Sequence, residues 1–499
     1  MATWGDGWIW GDGTLWGAVA GEYPNILYGV QVDWDNDGIF DGANEAEKML
    51  SWSCERGRDF FLNSGGDGLE PVSPGTLTLT MDNNDGRYDP FTYAYILPGR
   101  KIQLSIQDCS TLTTHTIFTG SIDDIRPYAQ DKTVVITAVD AMRKLSTLDT
   151  TIALNADIKV SDAIEAVLDS VAYTNYDIDA LLDIIAFWWV NQEKATNAIQ
   201  ELCDASWGTF FIAADGTAKY HKRQRAVSSV LNLTQDVLLK DIAINQPWDV
   251  IRNNIDIIVN PLVQQATSDL WTLRDIPSVA AGATIVLWGS YSYNNIGCPA
   301  TGVINPAPTT DYLMNTISGG GGTNLTTLFT VTPTIFGESV KLTIYNGSAF
   351  LGYINLLKIR GNALTLPDPV RINAVDSASA AIYGNRTFKL DSKWMQNTNL
   401  GLSLADTIKA LLASARKYPV VRIDTRPDIQ YTADLFDRLS LTIAALTVDG
   451  AYQVGSIKHE STSPTCQSVV TTLTLEPIVN LADVYWTFPV YWEINSFFA

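Results

Sequence analysis

The sequence predicts a mainly β protein with α+β elements, divided among several domains. Apolar residues alternate with threonine in short runs, as at Leu77, Leu79 and Met81, and this period of two is typical of half-buried strands. The 499 residues are 46% hydrophobic but only 17% charged, with 35 glycines. This composition favours packed sheets joined by many turns, and the length allows several domains.

The first β domain is predicted at residues 22–148. Ile102, Leu104 and Ile106 repeat the alternation, residues 134–139 form a continuous apolar and β-branched run, and Pro98-Gly99 marks a turn. Residues 1–21 precede it and repeat the tetrad Trp-Gly-Asp-Gly at 4–7 and 10–13. We interpret them as an N-terminal arm that packs on a partner. The alternative is a local cap on its own domain.

Residues 149–232 change to a helical period and predict a small α+β domain. Val160, Ile164 and Val167 fall on one helix face, with Ser161 placed to cap its start. A second helix is predicted at 192–206. A hairpin with its turn at Asp215-Gly216 follows.

Strand patterns return at 233–262 and 375–480, which we expect to form one discontinuous domain. In the later segment Leu404, Ile408 and Leu411 share a helix face, and Ser403 with Asp406 forms a capping-box pattern. A hairpin turn is predicted at Asp449-Gly450. Residues 263–374, between the two segments, predict an inserted β-sandwich-like domain.

Residues 481–499 form an aromatic C-terminal tail. Aromatic density at both ends of the chain predicts partner contacts. The residues concerned are Trp4, Trp8, Trp10, Trp16, Tyr485, Trp486, Tyr491 and Trp492.

The formal net charge of −21 argues against a protein that wraps nucleic acid, because phosphate binding needs lysine and arginine. Carboxylates lining a pore would let DNA slide without sticking, and solubility is the simpler explanation. The five cysteines are widely spaced, which favours reduced thiols and assembly in a cytoplasm. No secretory signal is expected, and the apolar runs are too short for a membrane span.

A calcium loop is one interpretation of the acidic turn after residue 32. Asp33, Asp35 and Asp37 occupy positions 1, 3 and 5, followed by Gly38. Ile39 would offer its carbonyl and Asp41 its carboxylate. Position 12, however, is Asn44 rather than glutamate. An acidic turn without metal is the alternative, and no other cofactor is expected.

Catalysis has little support in the sequence, so we predict a protein without enzymatic activity. There is no nucleophile elbow and no zinc-protease helix. The three histidines, His115, His221 and His459, are interpreted as strand or surface residues, with His115 in a threonine-rich turn.

Two further groups of residues have competing interpretations. Five tryptophans could be core residues or sugar platforms, and we favour the core: Trp188, Trp189, Trp248, Trp271 and Trp288. A basic cluster is interpreted as an exposed strand edge or subunit contact: Lys219, Lys222, Arg223 and Arg225.

An ordered series of short motifs resembles the start of minor tail and tail-hub proteins of siphophages. The motifs are Val-Asp-Trp-Asp-Asn-Asp-Gly at 32–38, Gly-Thr-Leu-Thr-Leu at 75–79, Asp-Asn-Asn-Asp-Gly-Arg-Tyr-Asp-Pro at 82–90, Pro-Gly-Arg at 98–100, Phe-Thr-Gly-Ser-Ile at 118–122 and Ala-Val-Asp-Ala at 138–141. Such hubs are similar to the baseplate hub of contractile tails. The resemblance implies two tail-tube-like β-barrels, at 22–148 and at 233–262 with 375–480, in a homotrimer that matches a sixfold tube.

The function implied by the resemblance is that of a structural tail-tip or baseplate hub in the virion. Such a hub caps the tail tube, adapts its sixfold symmetry to a threefold tip and lines the DNA exit channel, through which genomic DNA passes without specific binding. Implied partners are the distal tail protein, the tail-tube protein, the tape-measure protein and tail fibre or receptor-binding proteins. Assembly would occur in the host cytoplasm, and the hub would serve host cell attachment and viral genome ejection.

Two other functions stay open from the sequence. The insert at 263–374 could make the chain a receptor- or glycan-binding tail-tip protein. A glycoside hydrolase would need a pair of carboxylates, and no spacing singles out such a pair among the 54 acidic residues.

Overall fold

The computed structural model of the chain describes residues 26–40, 42–63, 66, 68–109, 111–223, 225, 228–235, 241–424, 426–461 and 468–478. Strands make up 50% and helices 15%, which confirms the predicted mainly β class. The tryptophans of the arm and the aromatic residues of the tail lie outside the described residues, so their partner contacts stay predictions. Among the described helices, none is long and apolar enough to cross a membrane.

Six antiparallel strands form what we call the first β unit. Its elements are β1 (Ile26–Val32), β2 (Met49–Gly57), β3 (Ser73–Asp82), β4 (Lys101–Asp108), β5 (Thr113–Tyr128), β6 (Thr133–Val139) and the short helix α1 (Ala141–Leu145). A 3-10 turn (Glu45–Lys48) precedes β2. Leu77, Leu79 and Met81 of β3 are buried while their neighbours are not, as the alternation predicts.

The α+β unit follows and has its own core around Trp188. Its elements are β7 (Asp149–Lys159), α2 (Val160–Ser170), β8 (Tyr176–Ile178), β9 (Ile184–Lys194), α3 (Ala195–Ser206), β10 (Thr209–Ile212) and β11 (Ala218–His221). The hairpin across Asp215-Gly216 is confirmed by the β10–β11 pairing. The predicted cap at Ser161 is wrong. Helix α2 starts one residue earlier without a side-chain cap, and Ser161 hydrogen-bonds Asp162 instead.

Three strands lead from the α+β unit to the insert: β12 (Leu231–Thr234), β13 (Asp241–Asn245) and β14 (Asn254–Val259). The insert itself contains β15 (Val263–Thr272), β16 (Ser278–Val279), β17 (Thr284–Ser290), β18 (Ser292–Tyr293), β19 (Ile296–Gly297), β20 (Ala300–Ile304), β21 (Tyr312–Asn315), β22 (Phe329–Ile335), β23 (Ser339–Asn346) and β24 (Gly352–Thr365). A five-stranded sheet around β24 and the three-stranded sheet β17-β23-β22 share one hydrophobic core, as a β-sandwich-like insert requires.

A supporting layer lies where the insert joins the rest of the chain. It contains β14 together with β25 (Val370–Val375), α4 (Ser377–Tyr383), β26 (Thr387–Asp391) and α5 (Thr398–Leu412). Strand β14 lies between β25 and β26, and α5 packs on them. The predicted capping box at Ser403 and Asp406 is wrong, because α5 begins five residues before Ser403 and is capped by Asn397.

The second β unit is completed by the end of the described chain. Its remaining elements are β27 (Tyr418–Asp424), α6 (Pro427–Gln430), β28 (Arg438–Ile443), β29 (Val448–Ser461) and β30 (Val470–Pro477). The predicted turn at Asp449-Gly450 is wrong. Both residues lie in β29, paired with Thr442 and Leu441, and the connection is the 3-10 turn Ala444–Leu446.

The two β units have the same strand order. The first is arranged β1-β4-β5-β6-β3-β2 and the second β12-β28-β29-β30-β27-β13. If the strands of each unit are numbered in chain order, their order across the sheet is 1-4-5-6-3-2 in both units. One pairing differs, because β1 is antiparallel to β4 whereas β12 is parallel to β28. In the sequence, the insert and the supporting layer both come between β13 and β27, which are the second and third strands of the second unit.

The units join into one twelve-stranded sheet through β2 and β29, which pair from Trp52↔Ser461 to Gly57↔Ser456. This corrects the expectation of two separate barrels: in the described residues, strand pairing closes neither unit into its own ring. Without this pairing, the backbone N–H and C=O groups along one edge of β2 would have no partners. Strand β29 of the other unit provides them. Residues 254–259 also differ from the expectation, since β14 belongs to the supporting layer.

Candidate functional site

We call the pairing of β2 with β29, together with the side chains directly beside it, the seam. Arg58 follows β2 and donates from Nε to Glu476 Oε1 at 2.7 Å and from Nη2 to Oε2 at 2.6 Å. The two side chains are only 1% and 4% exposed. Gln453 Nε2 donates to Glu476 Oε2 at 2.8 Å, and the guanidinium lies about 5 Å from the rings of Phe61 and Phe436. The charge pair is therefore fully enclosed by both units.

A second ion pair crosses the seam. Arg56 Nη1 lies 2.7 Å from Asp434 Oδ1, and the same carboxylate accepts hydrogen bonds from the backbone N–H of Ala214 and Leu435. Burial by itself raises the pKa of Asp434, but the Arg56 charge and these hydrogen bonds bring it below its ordinary value. Asp434 thus stays charged and connects the first unit, the α+β unit and the second unit.

Asp140 holds the end of the first unit to α1. Its carboxylate accepts from the backbone N–H of Met142 at 2.9 Å and of Gly75 at 2.7 Å. Burial raises the pKa of Asp140 to about 7, against the lowering by these hydrogen bonds and by Arg56. A side chain at Gly75 would collide with this carboxylate and with Arg56. The Gly-Thr-Leu-Thr-Leu and Ala-Val-Asp-Ala motifs are therefore in direct contact.

The three histidines all lie in strands, which agrees with the strand interpretation of His221 and His459 but not with the turn expected for His115. His459 in β29 is buried opposite Cys54, and its Nδ1 lies 2.8 Å from Thr471 Oγ1. Burial, followed by the charge of Arg56, lowers the pKa of His459 to about 3. Burial and nearby cations likewise lower the pKa of His221 to about 3. His115 is half-buried in β5 rather than in a turn.

Among the described residues, His459 Nδ1 lies beside a hydroxyl group and His221 Nδ1 has no hydrogen-bond partner. With pKa values near 3, His221 and His459 are neutral near pH 7. Each is buried in the packing of its β-sheet.

The basic cluster is partly buried, and three of its cations have partners within the subunit. Arg223 pairs with Asp183, and both side chains are largely buried. Arg225 Nε lies 3.2 Å from Asp179 Oδ2, and Lys222 Nζ donates to a backbone carbonyl. With Arg58, these residues line a cavity of about 190 Å³. The expectation of an exposed strand edge is therefore wrong for Arg223, and the α+β unit itself supplies the partners of these three cations.

The acidic turn brings its three carboxylates together. Ligand oxygens of Asp33, Asp35 and Asp37 lie within 4.8 Å of one another. Asp33 is buried and accepts from the backbone N–H of Asp37 at 3.1 Å and of Gly38 at 3.0 Å. Burial raises the pKa of Asp33, but the hydrogen bonds outweigh it and bring the pKa below the ordinary value. The turn is thus held by its own backbone.

Two other residues of the predicted loop have hydrogen bonds of their own. Asn44 Oδ1 accepts from the backbone N–H of Val30 and Ala46. Ile39 is exposed, and its N–H donates to Asp37 Oδ1. Asp41 lies outside the described residues. The calcium interpretation therefore stays a prediction that rests on three carboxylates.

Glu45 connects two of the sequence motifs. Its carboxylate accepts from Tyr88 Oη at 2.7 Å, from Arg87 Nη2 at 3.0 Å and from Trp34 Nε1 at 3.4 Å. Trp34 belongs to the acidic motif, and Arg87 and Tyr88 belong to the Asp-Gly-Arg-Tyr turn. Tyr88 is buried in the core of the first unit. These motif residues therefore fasten two loops to one end of the first β unit.

The tryptophans divide between core and surface. Trp188 is fully buried, which confirms the core interpretation for it, and Trp189 and Trp271 are partly buried. Trp248 and Trp288 are 61% and 59% exposed, so the core interpretation is wrong for these two. Trp288 lies on the three-stranded sheet of the insert.

Comparison with known proteins gives no match to a protein-family model and none to a curated protein sequence. Solved structures do match. A tail protein from Neisseria meningitidis has a TM-score of 0.51 at 9% identity, over 91% of this chain and 96% of that one. The 43 kDa tail protein of prophage MuSo2 from Shewanella oneidensis has a TM-score of 0.48 at 8% identity, over 90% and 97% of the two chains. A prophage tail protein from Listeria monocytogenes has a TM-score of 0.41 at 9% identity, over 92% and 96%.

The likeness to the Neisseria protein extends over nearly the full length of both chains. At 9% identity it is a likeness of fold, and it agrees with the resemblance seen in the sequence motifs. This chain therefore has the fold of a tail protein.

Proposed function

We propose that this chain is a structural bacteriophage tail-tip hub that caps the tail tube. The observation that carries the proposal is the shared strand order of the two β units. Three copies of a chain with two like units present six units around one axis. A threefold hub could then meet a sixfold tube ring with one unit opposite each tube subunit.

The seam supports this role because it fixes the two units relative to each other. Six consecutive residues of β2 pair with β29, and the Arg58–Glu476 and Arg56–Asp434 pairs lie beside them. Separating the units would expose an unpaired sheet edge and the buried rings of Phe61 and Phe436, both of which are costly. The pair of units is thus suited to act as a rigid element of a ring.

The charge of the chain supports a role at the DNA exit channel. A trimer would carry three times the formal charge of −21. Carboxylates facing a channel repel DNA phosphates, so genomic DNA would pass without specific binding. The expected partners are the distal tail, tail-tube and tape-measure proteins, with tail fibre or receptor-binding proteins at the virion tail tip. Assembly would take place in the host cytoplasm.

The proposal includes no enzymatic activity and no cofactor. Its support is the state of the histidines, since burial lowers the pKa values of His221 and His459 to about 3. A general base needs a pKa nearer the working pH and access to substrate. Residues with these pKa values and this burial are suited to packing rather than to proton transfer.

A second candidate function is receptor or glycan binding through the insert. The exposed Trp288 favours it, because this indole lines a cleft together with polar and charged side chains. This function is compatible with the hub, since the insert is a separate sandwich attached to the supporting layer.

The hub proposal is tested by the stoichiometry of the purified full-length chain. Sedimentation equilibrium is expected to give three times 54.7 kDa, and electron microscopy a threefold ring that binds the end of tail-tube rings. A chain that stays monomeric alone and in the presence of tail tubes would contradict the proposal.

A further inference from the structure

An open cleft of about 630 Å³ lies between β15 and β17 of the insert. It is lined by Asp269, Leu270, Trp271, Thr272, Arg274, Trp288, Ser290 and Ser292. The cleft combines two indoles with charged and hydroxyl side chains. A sugar ring needs this combination, because its C–H face packs on an aromatic ring while its hydroxyls need hydrogen-bonding groups.

The indole of Trp288 is held in place although it is 59% exposed. Phe336 stacks against it with ring centroids 5.6 Å apart and planes inclined by 20°. The neighbouring Gly289 has no side chain, and the Trp271 ring fills the space: a Cβ at Gly289 would lie 2.7 Å from Trp271 Cδ2. Both indoles are thus fixed without a ligand, which lowers the entropic cost of binding one.

Two charged side chains line the cleft, and only one of them has an ion-pair partner among the described residues. Asp269 is bound by Lys358, whose Nζ lies 3.2 Å away. Arg274 is exposed and has no hydrogen-bond or ion-pair partner among the described residues. Lys341 lies across from Trp288 with its Nζ 6.0 Å from the ring centroid, and it too has no carboxylate partner in the described chain. Of the two charged side chains that line the cleft, Arg274 is therefore the one without a partner in the described chain.

We infer that the cleft binds an acidic saccharide. The sugar ring stacks on Trp288, a carboxylate or phosphate substituent pairs with Arg274, and hydroxyls bond to Ser290 and Ser292. An unpaired guanidinium suits this role because it binds carboxylates and phosphates through two parallel hydrogen bonds. The inference rests on the binding role proposed for the insert and names its ligand class and residues.

The test uses the full-length protein on an array of bacterial surface glycans. The array holds acidic capsular polysaccharides, teichoic acids and O-antigens beside neutral polysaccharides. The strongest acidic ligand is then titrated against wild type, Trp288→Ala and Arg274→Gln. Trp248→Ala is the matched control, since Trp248 is 61% exposed outside the insert, and Arg126→Gln is the control for an exposed arginine.

We expect wild type to retain acidic glycans in preference to neutral ones. Loss of the stacking ring in Trp288→Ala should weaken binding about tenfold or more, because the C–H face of the sugar loses its aromatic partner. Arg274→Gln should weaken acidic ligands about tenfold and leave neutral ones unchanged. Both controls should bind like wild type.

The inference is overturned if wild type retains no acidic glycan better than Trp288→Ala does, or if the Trp248 control loses as much binding. Equal retention of neutral and acidic glycans overturns the role of Arg274. Trimer formation is measured on the same preparations. Failure of glycan binding with an intact trimer rejects this inference alone, whereas a monomer that binds glycans rejects the hub and keeps the cleft.

Discussion

Arg58 and Glu476 are 418 residues apart in the sequence and form a two-bond ion pair inside the seam. The pair connects the end of β2 in the first β unit with β30 in the second. Each charge has lost its water and depends on the other for compensation. The relative position of the two units is therefore coupled to the presence of both side chains.

Glu476→Leu should lower the free energy of unfolding by about 3–5 kcal/mol, the usual cost of leaving one buried charge without its partner. Urea denaturation measures this change. The control is Asp124→Leu, which removes the partner of Arg126 in an exposed pair on β5 and should cost about 1 kcal/mol or less.

The double variant Arg58→Met with Glu476→Leu tests whether the loss of stability comes from the uncompensated charge or from altered packing. Replacing both partners with apolar residues of similar size should recover most of the lost stability. If the double variant is as unstable as Glu476→Leu alone, the uncompensated charge is not the cause.

Gly57→Ala should destabilise the seam more than a comparable glycine substitution elsewhere. Gly57 has φ +114°, and an added Cβ would lie 2.4 Å from the carbonyl oxygen of Gly455 on β29. Gly99→Ala is the control, because Gly99 has φ +86° but open space around it. Both variants incur backbone strain, whereas the clash should cost Gly57→Ala about 1–3 kcal/mol more. Equal losses in urea denaturation would contradict a tight β2–β29 contact.

Stability should fall as the pH drops below 6.5, in part because of His459. Burial lowers its folded pKa to about 3 from an ordinary 6.5. Between these values the unfolded chain takes up a proton that the folded chain does not, so folding is favoured less at lower pH. The slope is about 1.4 kcal/mol per pH unit for each such group.

His459→Gln should remove the part of the pH dependence of stability that comes from His459. The part that comes from His221 should remain. The measurement is the free energy of unfolding between pH 4.5 and 6.5, compared with wild type. An unchanged slope in the variant would show that the His459 imidazole takes up protons in the folded state.

Asp140 should affect the pH dependence of stability in the opposite direction, so that the free energy of unfolding falls as the pH rises. Burial raises its folded pKa to about 7 from an ordinary 3.8. Between these values the folded chain holds a proton that the unfolded chain has released, so the stabilising contribution is complete below pH 3.8 and is lost as the pH rises through 7. Asp140→Asn should therefore flatten the loss of stability between pH 5 and 7. The same unfolding series, extended upward through pH 7, checks it, and a steeper loss in the variant would contradict the raised pKa.

Calcium should stabilise the chain no more than magnesium does. Of the residues expected to complete a calcium loop, Asn44 bonds the backbone of Val30 and Ala46, and the nearby Glu45 binds Arg87 and Tyr88. Position 12 then lacks the bidentate carboxylate that completes a calcium loop. Thermal unfolding with either salt tests this. A rise in Tm that is specific to calcium and lost in Asp35→Asn would establish a calcium site.

Local patterns predicted the strands and the first helices well because those elements are decided by their own neighbours. Leu77, Leu79 and Met81 alternate in the sequence and are buried in the sheet. The start of α5 was missed for a reason of tertiary packing. Gly401 reads as a helix breaker, yet it lies inside α5 because a side chain there would meet Ile372 and Val259 of the underlying sheet.

The seam and the saccharide cleft could not be predicted from sequence spacing. Arg58 and Glu476 belong to opposite ends of the chain, and no period or motif relates them. Trp288 alternates with buried neighbours like any strand residue, so its exposure depends on which face of β17 the sandwich leaves uncovered. The ordered motifs did indicate the fold, and in this chain Trp34, Arg87 and Tyr88 of two of these motifs meet at Glu45.

Excision of the insert gives a further prediction, since the chain enters and leaves it at neighbouring positions. Val259 at the end of β14 is paired with Val370 at the start of β25. Paired residues of antiparallel strands lie about 5 Å apart, so a two-residue turn can join them. Replacing residues 261–369 with a single glycine leaves Asn260-Gly as that turn. The core of the insert is contained between Leu270 and Ala363 and shares no member with the core of the supporting layer.

The shortened chain should therefore fold and form the same assembly as the full-length protein while losing all glycan binding. The packing of Gly337 of the insert on Trp189 of the α+β unit is lost, and a modest fall in Tm is expected because Trp189 becomes more exposed. Sedimentation and the glycan array measure the two properties on one preparation. A shortened chain that folds but no longer assembles would make the insert part of the hub itself. Retained glycan binding would show that the saccharide binds outside the cleft between β15 and β17.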